Sequence, residues 1–166
     1  MLPNIPILIA TALIPMILGY IWFHPKMFGG ETWYNVAKLT GEDRSEVSTV
    51  KLLSTLLFNF FIAFGLYNQC IHSMGALAMV GADPELLRTG VGAAFMAEYG
   101  QNHLSFGHGV IHAIFPTTAF IIIPVLAYVT IFEKKNFKYF MVYTGYWALS
   151  LMLMGGILCQ WGTTPV

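Results

Sequence analysis

Four stretches of this chain run for about twenty residues each without a single Asp, Glu, Lys or Arg. They cover residues 5–23, 52–71, 110–132 and 140–161. Nothing else in the sequence restricts the fold as tightly. About twenty apolar residues in a helix cross a hydrocarbon layer of about 30 Å. An unpaired backbone amide in that layer costs several kcal/mol, and a helix pairs nearly all of its own. Each stretch is therefore expected to be a membrane-spanning helix. Charge content agrees, because only 10% of the 166 residues are charged, against about 25% in soluble domains. Too few charges remain to coat a globule in water. The expected fold is all-α: one membrane domain over residues 1–166, a four-helix bundle whose first partner is the lipid bilayer.

Basic residues orient the bundle. Lys26, Lys38, Arg44 and Lys51 lie in or beside the first connection, Arg88 alone in the second, and Lys134, Lys135 and Lys138 in or beside the third. The positive-inside rule then puts residues 24–51 and 133–139 in the cytoplasm and both termini outside, in the inner (plasma) membrane. The first span reads as a retained anchor and not a cleaved leader, since no basic residue precedes it and its exit is aromatic at Tyr20, Trp22 and Phe23. At that exit Pro25 disfavours helical geometry at His24 and ends the helix. Gly29 and Gly30 permit a turn, and Lys26 meets the anionic inner leaflet. His24 reads as a helix-end residue more readily than as a ligand.

The connections carry further signals. "ETWYNVAKL" (31–39) places Trp33, Val36 and Ala37 on one face, the pattern of a short inner interfacial helix. "TGED" (40–43) fits a helix cap at Thr40. "EKKNFK" (133–138) predicts a tight hairpin. In the longer second connection Asp83, Pro84 and Glu85 form a helix-start signal, and Leu86, Leu87, Val91, Ala94, Phe95 and Met96 continue it. One external amphipathic helix is expected there.

Four of five histidines fall on the outer side: His72, His103, His108 and His112. His108 and His112 are spaced i, i+4, which sets both rings on one helix face as metal ligands require. With His72 and His103 they are candidate metal ligands, and Glu98 is near in sequence. A metal or haem site and a set of interfacial histidines bonded to backbone and to each other both fit. In the third span Pro116 cannot donate to the carbonyl of His112, and Pro124 likewise frees Phe120. Thr117 and Thr118 follow Pro116 and can bond locally. These residues predict a kink with a polar pocket at His112 facing protein. Cys70 and Cys159 both end spans near the outer face, where compartment permits a disulfide; two buried free thiols are the other reading and the favoured one. Gly155 and Cys159, with Gly156 beside them, form a small-residue stripe for a close helix contact, within the chain or between subunits.

Absences narrow the function. No span contains the carboxylate that proton-coupled carriers use as a relay. There is no phosphate-binding loop, nucleophile elbow or Cys-x-x-Cys, and no basic stripe for nucleic acid. The residues therefore favour a protein without catalytic groups or cofactor, a small subunit or accessory acting in a homo-oligomer or larger membrane complex. A carrier or channel for a small or lipid-like molecule, and a metal- or haem-binding protein using the outer histidines, are the alternatives.

Two stretches, "LGYIWFHPKMFGGETWYNV" (18–36) and "FEKKNFKYFMVYTGYWALSLMLMGGILCQW" (132–161), carry a family pattern. The first has an aromatic pair, a proline, Phe-Gly and a following Trp; the second has Gly-Tyr, Met-Gly and a terminal Trp. The chain resembles small bacterial membrane proteins with four predicted spans, catalogued as a domain of unknown function, number seventeen sixty-one. That resemblance implies fold and membrane location and carries over no catalytic residue.

Overall fold

The computed structural model describes residues 2–27, 33–35 and 48–164. Among them four helices are long and apolar enough to cross a membrane: Ile5–Trp22, Thr49–Cys70, Phe106–Phe132 and Phe137–Trp161. Three begin earlier than their apolar runs because a polar side chain outside the run caps the first turn. Ser48 accepts from Lys51 N, Ser105 from His108 N and Asn136 from Tyr139 N. Such a cap satisfies a backbone donor that the helix itself leaves free. The third span consequently takes in His108 as well as His112.

The first span is two helices, α1 (Ile5–Ala12) and α2 (Ile14–Trp22), joined at Leu13. Pro15 causes the break, since it has no amide to give the preceding turn. The hydroxyl of Thr11 turns back onto the carbonyls of Ile7 and Leu8, both at 2.9 Å. The Pro15 carbonyl accepts the buried hydroxyl of Tyr146 at 2.8 Å, tying the break to span four. Span two is α3 (Thr49–Cys70) and span four is α9 (Phe137–Trp161).

Span four is the most buried of the four. Leu151, Met154, Leu158 and Cys159 join Leu8, Ala63, Leu66, Tyr67, Ile71 and Ala113 in one core. Outward, the bundle shows large apolar side chains such as Phe58, Phe61, Phe115, Phe120 and Ile131. That surface suits hydrocarbon, not water. Spans three and four touch backbone to backbone: a Cβ at Gly155 would stand 2.6 Å from the Gly109 carbonyl oxygen, and a Cβ at Gly109 would overlap that of Gly155. The small-residue stripe is thus used inside the chain. Both ends of the chain meet at this end of the bundle, where β1 (Leu2–Pro3) pairs antiparallel with β2 (Thr163–Thr164) and Asn4 N donates to Gly162 O at 2.7 Å.

At the opposite end the helix stops at Trp22 as expected ahead of Pro25. His24 Nδ1 accepts the Lys26 amide at 3.2 Å, so the ring serves its own turn. Phe23 packs against Trp33, Tyr143 and Tyr146, and Trp33 Nε1 donates to the Tyr143 hydroxyl at 2.8 Å. Residues 33–35 are helical, in the segment where the inner interfacial helix is expected. Gly29, Gly30 and the Thr40 cap lie outside the described residues.

The second connection differs from the single helix expected. It holds α4 (His72–Met79), α5 (Glu85–Arg88) and α6 (Gly90–Tyr99). Asp83 accepts from Glu85 N at 3.0 Å, but the cap position falls on Pro84 and not on Asp83 as expected. The helix then breaks because Thr89 is extended and Gly90 adopts φ +53°, a left-handed conformation that favours glycine. Gly92 then fits under the Leu86 carbonyl, where any Cβ would collide. Val91 and Phe95 remain exposed, so that part of the expected apolar face is left uncovered by the described residues.

Candidate metal centre

Three of the four candidate histidines converge. The helix spacing sets His108 and His112 side by side, with Nε2 atoms 2.9 Å apart. Their helix is α7 (Phe106–His112), held against span four by the Gly109–Gly155 contact. His72 comes from a different element. Span two ends at Cys70, fully buried Ile71 anchors the turn, and His72 opens α4 facing the pair. Its Nε2 lies 3.1 Å from that of His108 and 3.2 Å from that of His112.

This triangle has a chemical problem. Neutral imidazole Nε2 has one in-plane position, holding either a hydrogen or a lone pair. Three mutually touching nitrogens with two states available must include at least one like pair, donor against donor or acceptor against acceptor. Hydrogen bonding among the three cannot satisfy all contacts, and protonation only adds donors. A shared cation resolves the conflict, since all three lone pairs can point to it. An ion about 1 Å above the plane of the nitrogens would lie about 2.0–2.1 Å from each, the usual metal–imidazole distance.

His103 approaches without joining the three. Its ring stacks on His108 at 5.0 Å between centroids, and lies 5.8 Å from His72. Its backbone is left-handed at φ +66°, an uncommon state for a residue other than glycine. Two hydrogen bonds to its carbonyl hold that turn, from Ser105 N at 2.9 Å and Cys159 Sγ at 3.3 Å. Glu98 is not part of the group.

The kink forms beside the site. Residues Ala113–Ile122 wind as a π-helix around Pro116, followed by α8 (Ile123–Phe132), which carries Pro124 in its first turn. The wider turn accommodates a proline that has no amide for the His112 carbonyl. That carbonyl receives the Thr117 hydroxyl at 3.2 Å, and the Ala113 carbonyl receives Thr118 at 2.7 Å. Thr117 also meets the Gln69 side chain at 2.6 Å. The partner atom is Gln69 Oε1, so the single hydroxyl hydrogen of Thr117 is shared between that oxygen and the His112 carbonyl. His112 is half-buried, with His72 and His108 beside its ring. Cys70 and Cys159 are both buried free thiols just behind α7, with Cys70 Sγ at 3.9 Å from the Gly109 carbonyl.

Sequence reasoning found all three converging histidines but had no signal that His103 would stand apart from them. It missed α4, which lacks a side-chain cap and whose sequence "HSMGALAM" has no sided apolar pattern.

Fold and site together define a polytopic helical membrane protein with a cluster of imidazoles at one mouth of its bundle. The family described as "Protein of unknown function (DUF1761)" matches residues 5–159, and the chain belongs to that family. No curated protein and no solved structure matches the chain.

Proposed function

We propose that this protein binds one divalent transition-metal ion through His72, His108 and His112, at the outer mouth of a four-span bundle in the plasma membrane. The mutual contact of three Nε2 atoms, which hydrogen bonding alone cannot satisfy, carries this reading. Borderline imidazole donors suit zinc, copper, nickel, cobalt or ferrous iron. Three ligands on one side leave a coordination position open, the pattern of a site that handles a ligand and not one that only staples a fold. Haem fits poorly. Its two axial nitrogens stand on opposite faces about 4 Å apart, twice a metal–nitrogen bond, whereas the three here are within 3.2 Å of one another.

The outer location rests on the basic connections at the other end of the bundle. The small-subunit reading has less behind it, because the glycine stripe that suggested helix contacts is engaged within the chain. Purified protein loaded with zinc or copper and dialysed should retain about one ion per chain by elemental analysis and show no Soret band. Loss of all metal on dialysis would overturn the proposal.

A further inference from the structure

A cavity of about 630 Å³ opens beside the histidines, between the end of span two and the external helices α4 and α6. That volume falls within the range of about 300–1,000 Å³ typical of small-molecule sites. His72 and His103 form part of its wall, so the cluster and the cavity share a boundary. The rest divides into two kinds of surface. Gln69, Ser73 and Asn102 offer amide and hydroxyl groups, while Ile71, Phe95 and Met96 are apolar. No Asp, Glu, Lys or Arg lines it among the described residues.

Charge and donor content select the occupant. Three neutral imidazoles leave both positive charges of a divalent ion uncompensated, and no carboxylate in the wall offsets them. An anionic oxygen donor at the open position would offset one of the two, and with no Lys or Arg among the described lining residues to hold the further oxygens of a phosphate, a headgroup with one negative charge fits best. The apolar wall beyond suits a short hydrocarbon tail. Resting on the metal reading above, we infer that the cavity binds a monoanionic amphiphile, its oxygen headgroup on the metal and its tail between α4 and α6.

Cobalt(II) reports both steps, because its absorption bands appear on binding and shift when a ligand joins. The full-length protein in mild detergent is loaded with cobalt and titrated with acetohydroxamate and with hexanohydroxamate. The two share a headgroup and differ by four methylenes, each worth about fourfold in affinity when buried. The longer probe should bind at least about tenfold more tightly. Gly75 lies in the cavity wall with no atom within 4 Å of where a Cβ would stand, so Gly75→Leu should fill the space without collision. The cobalt bands should persist in that variant while the preference for the longer probe disappears. Met79→Trp, at an exposed position on the same wall, should act alike and serves if Gly75→Leu does not fold. Absence of cobalt bands in the unaltered protein overturns the metal reading and this inference together. Cobalt bands with equal affinity for both probes overturn the cavity inference alone, as does a tail preference unchanged by the filling variants.

Discussion

Replacing His72 with alanine separates a three-imidazole site from an ordinary histidine pair on one helix. His72 stands on the surface, and Ile71 beside it, fully buried, anchors the turn. The substitution should therefore remove a ligand and leave the bundle intact. Its magnitude follows from the number of ligands. A four-ligand zinc site in a small domain contributes about 10–16 kcal/mol, or about 2.5–4 kcal/mol per ligand. Loss of one of three should weaken binding by about a hundredfold to a thousandfold. His103→Ala removes a stacked ring whose nitrogens lie outside the triangle, and should cost less than about a hundredfold. Competition against a chromophoric chelator gives both constants on detergent-solubilised protein, with thermal unfolding of the metal-free variants as the check on folding. Unchanged affinity in His72→Ala, or a larger loss in His103→Ala than in His72→Ala, refutes the assignment.

Three further outcomes are expected. Gly109→Ala should destabilise the protein by about 1–3 kcal/mol, because its methyl would meet the Gly155 backbone and stand 2.7 Å from Cys159 Cβ. Gly107→Ala, one turn position away with open space around it, should be neutral or slightly stabilising in the same unfolding assay. Equal losses would contradict the packing described. Metal retention should fall as pH drops through the ordinary histidine range near about 6.5, since each nitrogen must lose its proton to donate a lone pair. Full retention at about pH 5 contradicts imidazole ligation. A cysteine placed at Glu85 should react with an impermeant maleimide added outside intact cells, and one at Lys135 should not. Native Cys70 and Cys159 are 1% and 0% exposed and should stay silent in both; the reverse pattern of labelling inverts the orientation.

What the sequence revealed and what it hid follow from the range of each interaction. The spans and the His108–His112 pair depend on neighbours within a few residues, and local spacing records them. The same holds for Pro116 and Thr117, where the missing amide and the replacing hydroxyl are five residues apart or fewer. Pro15 carried an equal signal, yet its break is stabilised by Tyr146, 131 residues away. Likewise Gly90-Val-Gly92 lay inside an apolar pattern that argued for one continuous helix. The third histidine illustrates the deeper limit. Nothing near His72 in sequence announces its partners 36 and 40 residues later; packing of Ile71 into the core brings them together. The Gly109–Gly155 contact is hidden for the same reason, since either glycine alone reads only as a small residue.

The metal's own surroundings give the most direct test. X-ray absorption at the edge of bound zinc, in full-length protein in detergent, reports the identity and distance of the donor atoms. Three imidazole nitrogens at about 2.0–2.1 Å, with one light atom from water or a ligand, are expected. A shell of sulfur at about 2.3 Å, or oxygen donors without the outer scattering of imidazole rings, would show that His72, His108 and His112 do not hold the ion.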